Sequence, residues 1–291
     1  MAFERQTHLS TDHVLLADVQ CASPPPGWTD LRPAGVFGLV MVRRGLFRGR
    51  VDGVDRVVDP ASVYVERPGA DQQFSHPCGG DAYTEIVLSE PQVAAMLGGD
   101  PRVPEGLAFT TPELTVQHRL LLTRAREDAD AFELAERTVM LAACVLEGLA
   151  PARAAGGRPS TAHARRRLVD DARAALDADL RLGLDELGRA VGCSPHHLSR
   201  VFTTTTGTTL TRYRNRLRLA RALERLGEGE RDLGRLADEL GFSDQAHMTH
   251  VVRETTGMPP GRLRSLLAPA PAPAGARGGS AWRPRATPPP T

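Results

Sequence analysis

The chain has 291 residues, 41% hydrophobic and 24% charged, a balance that fits one or two soluble globular domains and excludes collagen-like and fully disordered classes. Its net charge is +1 and every basic residue is arginine, but residues 1–160 carry 15 Arg against 21 Asp and Glu, while residues 161–265 carry 18 against 14. An acidic front and a mildly basic back suggest two units with different partners; the charge alone does not select nucleic acid.

The opening "MAFERQTHLSTDHV" lacks the basic and apolar regions of a signal peptide, and no run of about 18 apolar residues could span a membrane. Cys21, Cys78, Cys144 and Cys193 are too scattered for a zinc-type spacing. Reduced thiols and a cytoplasmic location are the expectation, with no membrane contact.

From about Val36 to Leu88 the pattern is strand-like. "VFGLVMVRR", "LFRGRVDG", "VVDPASVYVERPG" and "YTEIVLS" are short, rich in Val, Phe and Tyr, and broken by Gly, Pro and Asp. Such spacing suggests a small antiparallel barrel or sandwich. Near Glu90 the periodicity becomes helical, and residues 115–150 read as two helices, the second over about 132–149. Val139, Leu141, Ala142, Val145, Leu146 and Leu149 give it a broad apolar arc, suited to the barrel or to a dimer partner. Residues 151–162, "PARAAGGRPSTA", have linker composition, and residues 268–291 form a Pro/Ala/Arg tail expected to be extended or disordered. The expected division is therefore 1–150, 151–162, 163–267 and 268–291.

The helical part repeats itself. "LDELGRAVGCSPHHLSRVFTTTTG" begins at Leu184 and "LGRLADELGFSDQAHMTHVVRETTG" at Leu233, matching at a shift of 49 and, after one extra residue in the second turn, of 50. In each copy a short helix ends at Gly192 or Gly241, where glycine permits a left-handed stop. Ser194 or Asp244 then offers an oxygen to the free amides of the next helix, and Pro195 suits a first helical position. A short helix, a tight turn with Gly and a capped second helix with a polar face make a helix-turn-helix. Between the copies, Leu210, Tyr213, Leu217, Ala220 and Leu223 form one apolar face, with Arg214, Arg218, Arg221 and Arg225 on another. That linking helix, from about Thr209 to Leu226, would be roughly 27 Å long. It could hold two reading helices about 34 Å apart, one turn of duplex.

On "LSRVF" with its glycine (198–207), "RLRLARAL" (216–223) and "LADELGFSDQAHMTHVVRETTGMPPGRLR" (236–264), the segment resembles the C-terminal DNA-binding domain of the AraC/XylS family of transcription regulators. The resemblance implies a seven-helix domain whose two recognition helices enter successive major grooves. It places base-facing positions on His196, Ser199 and Arg200 in the first unit and on Gln245, Ala246, Thr249 and His250 in the second. The chemistry agrees in part: Arg200 can fork onto a guanine and Gln245 can pair with an adenine. Ser194, Thr203, Arg214, Arg218 and Asp244 are the expected contacts to the DNA backbone. The sequence departs from the family at His250, where Arg is frequent, at Val252, where Phe is usual, and at "TTTT" (203–206), where basic residues are frequent. Hydroxyls neutralise no phosphate, so modest salt sensitivity is expected.

The first half is similar, less specifically, to the cupin-like sensing domains of such regulators. The overall expectation is an α+β chain with a cupin-like β-barrel and helices, followed by an all-α domain with two helix-turn-helix units. Its expected role is transcription regulation, with double-stranded DNA, an unidentified small-molecule effector and RNA polymerase as partners, and with homodimerisation. No catalytic set, cofactor or metal site is expected. His76 and Cys78 in "HPCGGD" read as turn or core residues, since His76 is the lone histidine in the strand region as bounded above. Two other readings remain: a metal-dependent cupin enzyme with a helical appendage, and an interaction module without sequence-specific DNA binding.

Overall fold

A computed structural model describes residues 2–23, 27–77, 79–103, 108–127, 129–149 and 159–268. Cys78, most of the linker expected at 151–162 and the tail from residue 269 onward lie outside the described residues.

The first half builds β1 (Ala2–Ser10), β2 (Val14–Ser23), β3 (Arg32–Pro33), β4 (Phe37–Arg44), β5 (Phe47–Val51), β6 (Val54–Val58), β7 (Ser62–Glu66), β8 (Asp71–Ser75), β9 (Asp81–Leu88), α1 (Glu90–Met96) and β10 (Ala108–Phe109). Next come α2 (Pro112–Arg126) and α3 (Ala131–Glu147). The strands form a six-stranded sheet, β1-β2-β9-β4-β7-β10, and a four-stranded sheet, β3-β8-β5-β6, with antiparallel pairing throughout. The strand region begins 34 residues earlier than the expected Val36. β1 escapes the alternation test because it is an edge strand, exposed on both faces from Glu4 to Thr7. The strand region therefore also contains His8, so His76 is not its lone histidine.

The period-2 alternation of the six-stranded sheet sorts its side chains onto two faces. Val40, Val42 and Tyr64 turn toward the four-stranded sheet and meet Phe47, Val51, Val58 and Phe74. There Phe47 packs edge-on against Tyr64 and Phe74, with ring centroids 6.4 and 5.7 Å away. Leu39, Met41, Val63, Val65, Ile86 and Leu16 turn the other way, against Val93, Leu114, Leu121, Leu141 and Val145 of α1–α3. The apolar arc of α3 thus belongs to the sheet, while Phe132 and Met140 on its outer side are 78% and 63% exposed. The β5–β6 hairpin turns at Asp52 and Gly53, both with positive φ (48° and 76°), as a two-residue turn requires.

The second half is α4 (Pro159–Ala178), α5 (Leu184–Ala190), α6 (Pro195–Thr206), α7 (Leu210–Gly227), α8 (Leu233–Glu239), α9 (Gln245–Thr256) and α10 (Pro260–Leu267). Its core gathers Val169, Leu176, Leu198, Phe202, Tyr213, Leu217, Leu223, Leu236, Met248 and Leu263, and extends to Ala61 and Val116 of the first half. Among the described residues, no helix is long and apolar enough to cross a membrane.

The halves are joined by buried polar bonds. Asp59, fully buried in the β6–β7 turn, accepts from Arg173 Nε of α4 (2.9 Å) and from the Tyr213 hydroxyl of α7, with Arg173 Nη2 paired to it at 2.7 Å. Arg173 also donates to Ser62 at 2.9 Å. Burial alone would weaken the protonation of Arg173, but the Asp59 carboxylate overrides it and holds the guanidinium above its ordinary value.

Asp170, beside this join, has its carboxyl pushed up to about 6, mainly by burial and against the pull of Arg173 at 3.6 Å. A carboxyl raised in the fold favours the protonated form. Its stabilising contribution is therefore complete below the ordinary value of 3.8 and is lost as pH rises through about 6. Asp170→Asn should accordingly be more stable than the parent at pH 7, on the order of 1 kcal/mol, with the difference vanishing toward pH 4. Denaturant titrations of both proteins at a series of pH values measure this.

Candidate nucleic-acid interface

The two repeats fold alike, apart from the one extra residue in the turn before α9. After α5, Gly192 adopts φ +70°, and after α8, Gly241 adopts φ +74°. Ser194 Oγ accepts from the amide of His197 at 3.3 Å, and Asp244 Oδ1 from that of His247 at 2.7 Å. α6 and α9 end on Gly207 and Gly257, at φ +73° and +74°. Before each of these, a threonine hydroxyl serves the exit turn. Thr206 donates to Phe202 O (2.8 Å) and accepts from Thr208 N (3.2 Å); Thr256 does the same with Val252 O and Met258 N at the same distances.

Leu198, Val201 and Phe202 anchor α6, and Met248 and Val252 anchor α9. The opposite faces are open. His196, Arg200 and Thr203 are exposed and Ser199 is half-buried; Gln245, Ala246 and His250 are exposed and Thr249 is half-buried. All seven residues expected to face bases lie on these two helices; His196, Ser199 and Arg200 match Ala246, Thr249 and His250, while Gln245 stands where the first unit has Pro195. His250 Nε2 lies 3.7 Å from Glu254 of the next turn. His247 instead stands edge-on to Phe242 at 5.4 Å and bonds Ser243.

The expected backbone contacts fare differently. Arg218 is 6% exposed, donates to the carbonyls of Leu180 (3.2 Å) and Gly241 (2.5 Å), and lies 4.8 Å over the Phe242 ring. Burial lowers its pKa to about 10, so it remains charged at neutral pH, but it faces inward and is withdrawn as a phosphate contact. Arg214 donates to Leu182 O at 3.1 Å and is likewise committed to the fold. Arg221 binds Asp177, and Arg225 binds Glu239 and Glu230. The polar stripe of α7 therefore closes the domain, because free carbonyls and carboxylates of neighbouring turns capture each guanidinium. Asp244 is withdrawn too. The His247 amide bond helps hold its carboxyl below the ordinary range, and a carboxylate offers a phosphate no donor. Ser194 and Thr203 remain available hydroxyls.

Among the described residues of the second half, Arg167, Arg189, Arg200, Arg212, Arg231, Arg253 and Arg262 are exposed without an acidic partner, and four of these, Arg189, Arg200, Arg212 and Arg253, lie on the helices of the two repeats or in the first turn of α7. Arg189 at the end of α5 and Arg212 in the first turn of α7 were missed in the sequence because apolar periodicity carries no signal at helix ends. The four on or beside the repeats predict a log–log slope of affinity against salt near −4, at roughly 0.9 per phosphate neutralised. DNA binding measured between 50 and 300 mM salt checks this, and a slope twice as steep would bring further arginines, Arg167, Arg231 and Arg262 or those of α7, into the interface.

No three His, Cys, Asp or Glu side chains converge as a metal-binding group among the described residues. His76 Nδ1 instead contacts Asp81.

Residues 187–265 match the family model described as a helix-turn-helix domain. This bears out the AraC-type reading of the second half. No curated protein matches the chain. Among solved structures, the chain is similar to a transcriptional regulator with an AraC-type DNA-binding domain from Chromobacterium violaceum, with 24% identity, 38% of this chain and 98% of that one covered, and TM-score 0.33. It is similar to apo ToxT from Vibrio cholerae strain SCE256, with 9% identity, 89% and 100% covered, and TM-score 0.35. A cupin superfamily protein from Desulfitobacterium hafniense DCB-2 shares 13% identity over 30% of this chain and 77% of that one, with TM-score 0.27.

Proposed function

We propose that the chain is a sequence-specific, DNA-binding transcriptional regulator that reads two major-groove segments with α6 and α9. The observation that carries this reading is the duplication of a capped helix with an open polar face, one copy before and one after α7 in the chain. Arg200 would fork onto a guanine and Gln245 onto an adenine, with His196, Ser199, Thr249 and His250 making single contacts and Ala246 an apolar one. Ser194, Thr203, Arg189, Arg212 and Arg253 would hold the backbone.

Residues 1–150 are the sensing unit in this reading and 163–267 the DNA-binding unit. A small-molecule effector bound by the first would act through the Asp59–Arg173–Tyr213 join. Tyr213 supports that route, since its ring packs 5.2 Å from Phe202 of α6. Exposed Phe132 and Met140 on α3 support self-association into a homodimer through that face.

Selection of bound DNA from a random pool by the full chain tests the reading. Enrichment of paired half-motifs about one helical turn apart is the expected result. Equal retention of all sequences would sink it.

A further inference from the structure

The helix-facing side of the six-stranded sheet is apolar except at one end. There Asp18 and Thr84, register partners on β2 and β9, lie near Arg43 of β4. This polar end opens into a cavity of about 510 Å³, walled by the sheet, α2 and α7. The volume lies in the range of small-molecule sites.

Three guanidinium groups meet two carboxylates in this cavity. Arg43 is 3.5 Å from Asp18 and 3.3 Å from Glu224, Arg126 is 2.9 Å from Asp18, and Arg119 Nε is 3.2 Å from Glu224. Arg44 adds a fourth cation at the rim, 4.0 Å from Glu224 and 3.7 Å from Glu228. The pairing is incomplete. Arg43 Nε, on a residue only 7% exposed, has no hydrogen-bond acceptor, and Arg119 Nε, on a residue 5% exposed, lies near Glu224 without hydrogen-bond geometry. Buried guanidinium N–H groups left without acceptors are rare in folded proteins.

The surrounding groups register the same excess of positive charge. His118 is held well below its ordinary value by burial and by the charges of Arg119 and Arg43. Burial opposes the ionisation of Asp18, yet His8, Arg43 and Arg126 hold its carboxyl far below the usual range.

We propose that this cavity binds a small polar organic anion, a carboxylate or phosphate ester on a hydroxyl-bearing body, with its charged head on Arg43, Arg126 and Arg44. Gln20 and Thr123, which also line the cavity, suit the hydroxyl groups of such a body. The anion would supply the acceptor that Arg43 lacks. The cavity lies outside the aromatic interior between the two sheets, and its α7 wall carries Glu224, so occupancy would bridge the two halves. Binding itself stands apart from the proposed DNA reading; only its effect on DNA rests on that reading.

The test uses the full chain without DNA. Isothermal titration at low salt is run with gluconate, glucose 6-phosphate, glucose and octanoate, on the parent and on Arg126→Ala, Arg44→Ala and Arg137→Ala. The first two substitutions sit at side chains 46% and 51% exposed, so folding is not at stake as it would be at Arg43. Expected are saturable 1:1 binding of gluconate or glucose 6-phosphate and none of glucose. Arg126→Ala and Arg44→Ala should each weaken binding about tenfold or more. Arg137→Ala, on the outer face of α3, should leave binding unchanged. Preference between the two anions separates carboxylate from phosphate. Equal binding of glucose, tighter binding of octanoate, equal weakening by Arg137→Ala, unchanged affinity in the rim variants, or no binding of either anion would each overturn the proposal.

Discussion

Asp59→Asn lowers the free energy of unfolding by about 3–5 kcal/mol, the cost expected when one partner of a buried ion pair is removed. The carboxylate is fully buried, is paired with Arg173, and accepts from Arg173 Nε, from Tyr213, from Ser62 (3.2 Å) and from the amide of Ala61 (2.9 Å). Asparagine keeps the shape but brings an amide donor and no charge to a guanidinium that is 2% exposed. Equilibrium urea denaturation measures the loss. A second variant separates charge from packing: Asp59→Leu with Arg173→Met removes both partners and should recover most of the stability, since well-packed apolar replacements of buried pairs are frequently neutral or better. If the double variant is no more stable than Asp59→Asn, the loss arises in the β6–β7 turn and not from the stranded charge.

Arg200→Ala should cost about 1–3 kcal/mol in binding to the selected DNA, and the cost should concentrate at one base pair. The side chain is exposed, and it leaves the second turn of a helix whose other face is fixed by Leu198, Val201 and Phe202. It has no acidic partner to give up. Affinities for the selected site and for each of its single-base-pair variants make the measurement. For the parent, one position should show a strong preference that flattens in the variant while the others keep theirs. A uniform loss across all sequences would move Arg200 to the backbone set.

The parts of the fold set by local chemistry were legible in the sequence. Gly192, Gly241, Gly207 and Gly257 marked helix stops, Ser194 and Asp244 marked starts, and α7 runs within a residue of the bounds its apolar face suggested. The base-facing candidates came instead from the resemblance to the AraC/XylS family, and they lie on α6 and α9. Long-range partners were not legible. Asp59 in "VVDPAS" carries the signature of an ordinary turn, and nothing near it in sequence marks a guanidinium 114 residues away. Arg218 has the spacing of a solvent-facing cation, and only the approach of Leu180 and Gly241 from two other turns shows that it is enclosed. Edge strand β1 was invisible for a related reason, since its partner and not its own composition makes it a strand.

The join at Asp59 also bears on how such a protein can be taken apart or recombined. A helical half severed from its barrel would carry Arg173 without the Asp59 carboxylate, keeping only Asp170 at 3.6 Å as a counter-charge, next to a Tyr213 hydroxyl that has lost its acceptor. A transplant of that half onto a foreign sensor would inherit the same vacancy unless the new partner offered a carboxylate at the matching turn. The two halves are therefore not freely interchangeable cassettes. Each holds one side of a lock, and lineages that exchange them are expected to keep acid and guanidinium together or to lose both at once.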